Sequence, residues 1–268
     1  MEQLYNNQDI VFFANRELKI AIEIGELMLM RGSETTRVEN TIDIILNNSG
    51  LCTECDSLVQ TTGIFITITD TSGNSHTMIK RISSIRTDLD SIAQLNNLSR
   101  LYVSKAINYE EACEMFKNIE NIAMYPKHIE AFFSALTCLF FGYMIFLSPV
   151  DAFGAFLAGF FAHSYGLYVI DKHIDTQFMR IIFTSMLIGI CSIIISVYLP
   201  NSDINSIMIG SIMPLVPGTE TVTGVRDLVE GNFLAAIARL LNAVLIGISI
   251  AVGIGIILAI YMYLGGTI

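Results

Sequence analysis

The sequence predicts a bundle of transmembrane helices that follows an N-terminal α+β domain. Hydrophobic residues make up 53% of the 268 positions, and the mean hydropathy of +0.58 is too high for an ordinary soluble protein. The apolar excess is uneven, because most charged residues fall in the first half of the chain. We therefore expect a cytoplasmic α+β domain over residues 1–126 and a transmembrane helical domain over residues 127–268.

The acidic balance of the chain excludes nucleic acid as a partner. The formal net charge is −10 and the isoelectric point is near 4.8, so no basic stripe is present to neutralise phosphates. Residues 1–20 lack the basic start, apolar core and cleavage site of a signal peptide, so we expect the N-terminus to stay in the cytoplasm. The apolar half requires a lipid bilayer, which we take to be the plasma membrane.

The five cysteines predict neither a disulfide framework nor a metal centre. A cytoplasmic domain keeps its thiols reduced, and Cys52 and Cys55 form a single C-x-x-C pair without the further ligands that structural zinc needs. Cys138 and Cys191 fall in apolar segments and are typical of small packing residues. We predict no metal and no cofactor.

Two helices are predicted at the start of the α+β domain. Residues 9–30 carry apolar side chains at helical spacing. Gly32 and Ser33 then interrupt the pattern, and Ser33 is placed to cap a second helix over residues 34–48. The apolar faces of these helices are predicted to include Ile10, Phe13, Ala14, Leu18, Ile22, Gly25, Leu29, Val38, Ile42, Ile45 and Leu46.

A change of period then predicts strands, followed by two more helices. Apolar residues alternate within residues 51–80, which indicates two or three antiparallel strands with a hairpin turn at residues 71–74. Helical spacing returns over residues 87–103 and 109–122. The period of two is carried by Ile64, Ile66 and Ile68 and then by Thr77 and Ile79. The buried faces of the two helices are predicted to comprise Leu89, Ile92, Leu95, Leu98, Ala112, Met115, Phe116 and Ile119.

About five membrane crossings are predicted for the second half. Three are continuous apolar segments, and the fourth is a short segment broken by Pro214 and Pro217. The fifth is the second part of a long helix whose amphipathic first turns carry Arg239 and Asn242. In order, the crossings are residues 131–147, 152–170, 178–199, 204–216 and 243–264.

Small residues recur along the second predicted crossing, where they would let another helix approach closely. We expect this face to pack within the subunit rather than to form a dimer seam, although the chain as a whole is expected to work as an oligomer. The face comprises Gly154, Ala155, Ala158, Gly159, Ala162 and Gly166.

Positive charges set the predicted orientation. If the N-terminal domain is cytoplasmic and the crossings alternate, the basic residues near the crossings all lie on the cytoplasmic side, as the positive-inside rule requires. The segments that connect crossings on the other side, residues 148–150 and 199–203, carry none. The basic residues concerned are Lys127, Lys172, Arg180, Arg226 and Arg239.

The broken fourth crossing is the strongest indication of function. A helix that stops at Pro214 falls short of the roughly 20 residues needed to span a bilayer. Backbone groups that the break frees must bond to protein or to a watery cavity. Secondary transporters place substrate sites at such breaks. Residues 206–231 are therefore predicted to form the floor of a transport pathway.

Two groups of motifs resemble those of a known family. GSETTRVE at residues 32–39 resembles the G-[AS]-E-T-x-R-V-E signature in the soluble part of the threonine/serine exporter (ThrE) family. PLVPG at residues 214–218, RDLVEG at residues 226–231 and then Arg239 resemble the P-L-x-P-G, D-L-x-x-G and R of its membrane part. The resemblance covers nearly the whole chain, and its length and layout are similar to those of the long, YjjP-like subunit of the split form.

The resemblance implies the export of small polar carboxylic metabolites. These are threonine and serine in fused members of the family and dicarboxylates such as succinate in some split members. Fused members have about twice the membrane helices counted here, so the resemblance also implies a short, YjjB-like membrane subunit as partner.

Arg226 and Arg239 are the candidate carboxylate ligands of this pathway, since arginine presents a planar fork of donors. They alternatively anchor the protein at the membrane surface and pair with Asp227 or Glu230. The helix that starts after Gly218 offers backbone donors to an anion. The full predicted pathway comprises Pro214, Pro217, Gly218, Thr219, Glu220, Arg226, Asp227, Arg239 and Asn242.

His163 is a candidate proton-coupling residue because an ionisable group in the middle of a crossing is costly. A neutral histidine that hydrogen-bonds a neighbouring helix is the other interpretation. Asp151, Asp171 and Asp175 fall at the ends of crossings, where interfacial charges are common.

The soluble signature leaves a different class of function open. Its residues Gly32, Glu34, Arg37 and Glu39 favour a structural helix or a surface that docks on the membrane part. Glu34 and Glu39 with His76 could instead bind a metal or activate a water, as in a hydrolase tethered to the membrane. A regulatory subunit that conducts nothing is the third possibility. We favour the exporter, with no enzymatic activity.

Overall fold

The computed structural model describes residues 7–50, 52–83, 85–122, 125–146 and 148–266, with side chains from residue 15 onward. Leu51 and Leu147, which bound a predicted strand region and a predicted crossing, and the first six residues lie outside the described residues. The chain forms two compact units. The α+β unit contains residues up to 123 together with Thr223–Arg239, and the membrane unit contains residues 124–222 together with Leu240–Ile268.

The α+β unit consists of helices around a three-stranded antiparallel sheet in the order β1-β2-β3. The structure thus has three strands where the sequence left two or three open, and the predicted turn joins β2 to β3. The elements before the membrane unit are α1 (Asn7–Met30), α2 (Thr35–Asn48), β1 (Cys52–Gln60), β2 (Gly63–Asp70), β3 (Ser75–Arg81), α3 (Leu89–Val103) and α4 (Tyr109–Glu120).

The core of this unit lies between one face of the sheet and the helices. Ile64, Ile66 and Ile68 on β2 are fully buried, whereas Phe65 between them is 43% exposed, so the predicted alternation is confirmed on β2. On β3, Thr77 and Ile79 lie on the exposed face, and Ile79 is 61% exposed. The predicted apolar faces of α1, from Leu18 onward, and of α2 are buried as well, and the side chains of Ile10, Phe13 and Ala14 lie outside the described residues. Leu89 was predicted in the buried face of α3 but is 73% exposed. It is the first residue of the helix, directly after the N-cap Asp88.

The helix starts follow local capping rules, with one difference from the prediction. Asn108 and Glu111 form a capping box at α4, each side chain accepting a backbone N–H from the other residue. The predicted cap Ser33 is wrong by one position, because α2 begins at Thr35 and its N-cap is Glu34. The Ser33 carbonyl bonds to a side chain instead, as described below.

Four helices among the described residues are long and apolar enough to cross a bilayer. They are Lys127–Phe146, Pro149–His173, Gln177–Tyr198 and Phe233–Tyr263. Lys127–Phe146 is α5, Gln177–Tyr198 is α8 and Phe233–Tyr263 is α11. The remaining helix, Pro149–His173, comprises α6 (Pro149–Tyr165), a π-helical segment (Gly166–Ile170) and α7 (Asp171–His173).

A shorter apolar helix supplies the predicted break. It comprises α9 (Ile204–Ile212) and a 3₁₀ turn (Met213–Leu215), and α10 (Gly218–Val229) follows it. The predicted interruption of helix at Pro214 and Pro217 is present. The predicted amphipathic start of the last crossing is continuous with it in α11, whose residues up to Arg239 belong to the α+β unit.

The small-residue face of α6 packs within the unit, as predicted. Ala155, Ala158 and Gly159 are buried, and α6 packs against α5, α8 and α9. A Cβ placed on Gly210 of α9 would lie 2.8 Å from the Ala155 Cβ and 3.1 Å from the Gly142 Cα. Small residues therefore allow α5, α6 and α9 to pack backbone to backbone.

Candidate functional site

The membrane unit contains a pocket at the break that follows α9. Its volume is about 260 Å³, which suits a solute smaller than the ligands of most pockets. We call it the membrane-unit pocket. Its lining residues are Glu130, Ser134, His163, Gly166, Leu167, Asp171, Gln177, Arg180, Ile181, Thr184, Pro214 and Leu215.

Pro214 disturbs the backbone hydrogen bonding at this pocket. Proline has no N–H, and α9 gives way to a 3₁₀ turn at Met213. The carbonyl of Ser211, in the last turn of α9, accepts hydrogen bonds from two side chains of neighbouring helices. The Cys138 thiol donates to it at 3.4 Å and the His163 Nε2 lies at 3.2 Å. Protein groups thus satisfy the break, as a low-dielectric environment requires.

His163 is buried and holds α6 to α9. Because a carbonyl oxygen only accepts, the Nε2 atom must carry the proton in this hydrogen bond. The interpretation of His163 as a histidine hydrogen-bonded to a neighbouring helix therefore describes its position in the structure. The His163 side chain also lines the membrane-unit pocket.

A second irregular stretch of backbone lines the same pocket. Gly166–Ile170 is π-helical, and Gly166 and Leu167 are lining residues. The Lys127 ammonium donates to the Leu167 carbonyl. A Cβ on Gly166 would lie 3.2 Å from the Thr184 hydroxyl, so α6 and α8 approach closely here. Single-turn π segments occur frequently at functional sites.

Charged groups lie at one end of the pocket. Arg180 on α8 pairs with Asp171 at 3.3 Å, and each side chain is about one third exposed, at 34% and 36%. Glu130 on α5 is half-buried and lines the same pocket. His163 precedes the end of α7 by ten residues, or about 15 Å of helix. The lining thus extends from charged groups at the helix ends to a buried histidine.

Sequence reasoning placed Pro214 in the pathway and named His163 as a candidate for proton coupling, but assigned Arg180 and Asp171 only to the helix ends. The signal that could have found them is their spacing, because Asp171 ends one crossing and Arg180 starts the next. The other predicted pathway residues of the membrane unit do not line this pocket. Pro217 precedes α10, Gly218, Thr219 and Glu220 form its start, and Asn242 is half-buried on α11.

The remaining predicted pathway residues lie in the α+β unit, against the soluble signature. Asp227 is fully buried, Arg239 is 4% exposed, and the Asp227 Oδ2 lies 3.1 Å from the Arg239 Nε. This is a close ion pair, although the Nε–H is not aligned as a hydrogen bond. A guanidinium N–H of Arg239 also donates to the Ser33 carbonyl at 3.1 Å. The sequence-based alternative of a pair with Asp227 is therefore observed.

Two helix ends bring these segments together. Gly32 and Gly231 have φ values of +87° and +90°, a backbone conformation that residues other than glycine rarely adopt. Each glycine follows a helix end as the C′ residue of a Schellman motif. The N–H groups of Ser33 and Asn232 donate to Met28 and Asp227, respectively. The signature glycines thus turn the chain so that the residues after them can meet.

Hydroxyl groups at the start of α2 complete the contact. Thr35 donates to the second oxygen of Asp227 at 3.0 Å, and Thr36 donates to Glu230 at 2.6 Å. The Asn232 amide donates to both threonine hydroxyls, at 3.3 Å and 2.8 Å. We call the whole set the signature cluster; it contains Ser33, Glu34, Thr35, Thr36, Arg226, Asp227, Glu230, Asn232 and Arg239.

Arg226 occupies the outer side of the signature cluster. Its guanidinium donates to Glu34 at 2.7 Å and lies 3.5 Å from Glu230, and its side chain is 55% exposed. The two arginines that the sequence treated alike therefore differ in environment. Arg239 is enclosed with its partner, and Arg226 is open to solvent.

The residues named for the hydrolase alternative lie on two elements, Glu34 and Glu39 at the start of α2 and His76 on β3. His76 lies 3.0 Å from Asp70, a pairing within the β2–β3 hairpin. Glu39 is half-buried, and burial followed by the nearby Asp43 raises the pKa of its carboxyl. Among the residues that the structure describes, no group of three or more histidine, cysteine or acidic side chains could hold a metal ion.

Comparison with known proteins identifies one family. The model of the ThrE family, described as "Putative threonine/serine exporter", matches residues 19–261. No curated protein and no solved structure matches the chain significantly. The matched region includes both the membrane-unit pocket and the signature cluster.

Proposed function

The chain belongs to the threonine/serine exporter (ThrE) family, and on that premise we propose that it is a subunit of an exporter of threonine or serine. The family is one of membrane transporters, and the four long apolar helices of the chain agree with a membrane protein. We also propose which solute this chain exports, which residues the solute passes and that a short membrane subunit is its partner.

The observation that carries the proposal is the membrane-unit pocket. Pro214, the charged pair of Arg180 and Asp171, and the buried His163 line one cavity. Irregular backbone at membrane depth is tolerated where protein buries it or where it lines a water-filled cavity. Two irregular stretches line this pocket, so it fits a passage for a polar solute.

The charges of the pocket favour an amino acid over a dicarboxylate. Arg180 can receive a carboxylate through its planar fork, and Asp171 or Glu130 can receive an ammonium group. A dicarboxylate would gain from the arginine but would be repelled by both acidic side chains. The hydroxyls of Ser134 and Thr184 could bond the hydroxyl of threonine or serine. Succinate remains the alternative substrate that measurement must exclude.

We propose that the end of the membrane unit carrying the pocket mouth faces the cytoplasm. Lys127, Lys172 and Arg180 lie at this end, where α5 and α8 begin and α7 ends. The other end carries Asp151, whose carboxylate accepts from the backbone N–H of Asp203 at 2.8 Å. This distribution supports the orientation through the positive-inside rule, with the N-terminal domain in the cytoplasm and a fifth crossing at α9.

We propose different roles for the two predicted carboxylate ligands of the α+β unit. Arg239 is a positioning residue that holds its neighbours in place, because its guanidinium is already bonded to Asp227 and to the Ser33 carbonyl. Arg226 has the exposure needed to contact a carboxylate directly, at the cost of its bonds to Glu34 and Glu230. The other predicted pathway residues, including Thr219, Glu220 and Asn242, are proposed to contact the solute outside the membrane-unit pocket.

Efflux from cells tests the pocket. Replacing Arg180 by Gln removes the charge that receives the carboxylate. Losing a charge-assisted hydrogen bond of about 1.5–3 kcal/mol should lower efflux of labelled threonine by about tenfold or more. Lys172→Gln is the matched control, since it removes one positive charge at the same end and lies outside the pocket. Equal efflux by wild type and Arg180→Gln at equal membrane levels would refute the assignment.

A second comparison tests the proposed partner and substrate. Efflux of labelled threonine and labelled succinate should be measured from cells that express this chain alone or with a short membrane subunit of the same family. Faster loss of threonine only in the paired cells would support both the shared pathway and the amino-acid substrate. Faster loss of succinate alone would replace the substrate, and unchanged loss of both would refute export by this pair.

A further inference from the structure

The α+β unit contains a cavity of its own, separate from the membrane-unit pocket. It has a volume of about 590 Å³, within the roughly 300–1,000 Å³ typical of small-molecule sites. We call it the arginine pocket. It is lined by Glu34, Thr36, Arg37, Asn40, Thr41, Ile44, Asn96, Ser99, Arg100, Val103, Ser104, Arg226 and Glu230.

The charges of this cavity are not balanced. Three arginines and two glutamates line it, and both glutamates are already engaged. Arg226 donates to Glu34 and lies near Glu230, and the Thr36 hydroxyl donates to Glu230 as well. One arginine thus serves both acidic side chains, so the other two arginines have no acidic partner in the lining, and the five charged groups together carry a net charge of +1.

Those two arginines are Arg37 on α2 and Arg100 on α3. Both side chains are exposed, and within the part of the chain that the structure describes neither guanidinium has an ion-pair or hydrogen-bond partner. They lie on different helices that line one cavity. Such an arrangement is notable in a chain of net charge −10, where a basic lining does not follow from composition.

Neutral polar groups supply further hydrogen-bonding capacity. Asn40 and Asn96 can donate through their side-chain amides. The Ser99 hydroxyl donates to the Asn96 carbonyl and is thereby fixed in orientation. Ile44 and Val103 provide an apolar part of the wall. A few placed polar groups beside an apolar surface are typical of sites for small metabolites.

We propose that the arginine pocket binds a small organic anion with two negative charges, one taken by Arg37 and the other by Arg100. Guanidinium groups match carboxylates and phosphates through two parallel hydrogen bonds. A dicarboxylate and a phosphorylated metabolite share this chemistry. The proposal does not rest on the exporter function, because binding can be measured without transport.

Calorimetric titration of the purified full-length chain in detergent tests the site. The probes are succinate for the dicarboxylates, inorganic phosphate for the phosphorylated metabolites and threonine as a solute without net charge. Saturable binding of succinate or phosphate, with threonine far weaker, is the expected result, and the tighter of the two names the class. Failure of both anions to bind at millimolar concentration would overturn the proposal.

Variants locate the binding. Arg37→Gln and Arg100→Gln should each weaken the preferred anion by about tenfold, and the double variant should abolish binding, because each arginine holds one charged group. Arg81→Gln on β3 is the matched control, since Arg81 is exposed and outside the pocket. Thermal melts would establish that the variants fold. Unchanged affinity in the folded double variant would overturn the assignment.

Discussion

The two units of the molecule treat charged pairs differently. In the α+β unit, Asp227 and Arg239 are enclosed and bond to the residues around them. In the membrane unit, Arg180 and Asp171 are each about one third exposed and line a cavity. An enclosed pair is costly to separate, whereas an exposed pair exchanges partners with little loss. The first pair is therefore suited to holding segments together and the second to receiving a charged solute.

The largest expected effect comes from breaking the enclosed pair. Arg239→Met leaves the buried Asp227 carboxylate without its partner. Asp227→Leu leaves the buried Arg239 guanidinium without its partner. Each should lower stability by about 3–5 kcal/mol, and the double variant should lose much less than the sum. Thermal melts of the full-length protein, followed by circular dichroism, measure this.

Arg226→Met is the matched control for that cycle. Its pairs with Glu34 and Glu230 are more than half exposed on the arginine side, so it should cost no more than about 1 kcal/mol. Equal losses for Arg226→Met and Arg239→Met would remove the distinction between the enclosed and the exposed arginine.

A smaller effect is expected from tightening the packing in the membrane unit. Gly210→Ala places a methyl group 2.8 Å from Ala155 and 3.1 Å from the Gly142 backbone, and the backbone cannot yield easily. Overpacking of this kind costs about 1–3 kcal/mol. Gly247→Ala is the control because its added Cβ meets nothing within 4 Å. A melting temperature for Gly210→Ala equal to that of the control would contradict the close approach of α5, α6 and α9.

Variants at His163 in the membrane unit distinguish a role in helix packing from a role in proton coupling. His163→Gln can still donate to the Ser211 carbonyl but cannot titrate, so the protein should fold while efflux loses its response to an imposed proton gradient. His163→Leu removes both properties and should also destabilise the end of α9. Gradient-dependent efflux by a folded His163→Gln variant would leave His163 as a packing residue.

The smallest effect concerns the hairpin of the α+β unit. Burial alone would raise the pKa of Asp70, but hydrogen bonds from His76, Asn74 and Ser72 outweigh it and lower the pKa from 3.8 to about 2. A depressed carboxyl pKa stabilises the fold above the unfolded pKa, and this contribution is lost as the pH falls from about 4 to about 2. Asp70→Asn should therefore melt at a lower temperature at pH 7.

The same variant should also show a shallower loss of stability between pH 4 and pH 2 than the wild type. Glu54→Gln, a change at an exposed position of β1, is the control and should follow the wild-type curve. Parallel curves for Asp70→Asn and wild type would show that Asp70 does not carry this pH dependence.

Much of the fold could be predicted because local patterns determine it. The alternation along β2 and the helical spacing of α1 and α2 report burial directly, and the prolines after α9 break a helix wherever they occur. The cap at Ser33 was wrong because both Ser33 and Glu34 precede the helix, and the extended backbone of Glu34 makes it the N-cap.

The partners of the site residues could not be predicted in the same way. Thr35 and Asp227 are 192 positions apart, and neither carries a periodic signal that points to the other. The sequence offered pairing with Asp227 as one interpretation of Arg239. It could not show that the Ser33 carbonyl bonds to Arg239 or that Thr35 donates to Asp227. Arg180 was overlooked as a pocket residue because a charge at the end of a crossing usually faces water.

The central claim is that solute passes through the membrane-unit pocket, and a thiol at its wall tests this most directly. Ser134→Cys, in a chain whose native cysteines are replaced and which still exports, should react with N-ethylmaleimide, and threonine should slow the reaction. The modified protein should lose efflux. Ser202→Cys, in the loop before α9, should react without loss. Full efflux after complete modification of Ser134→Cys would contradict the account.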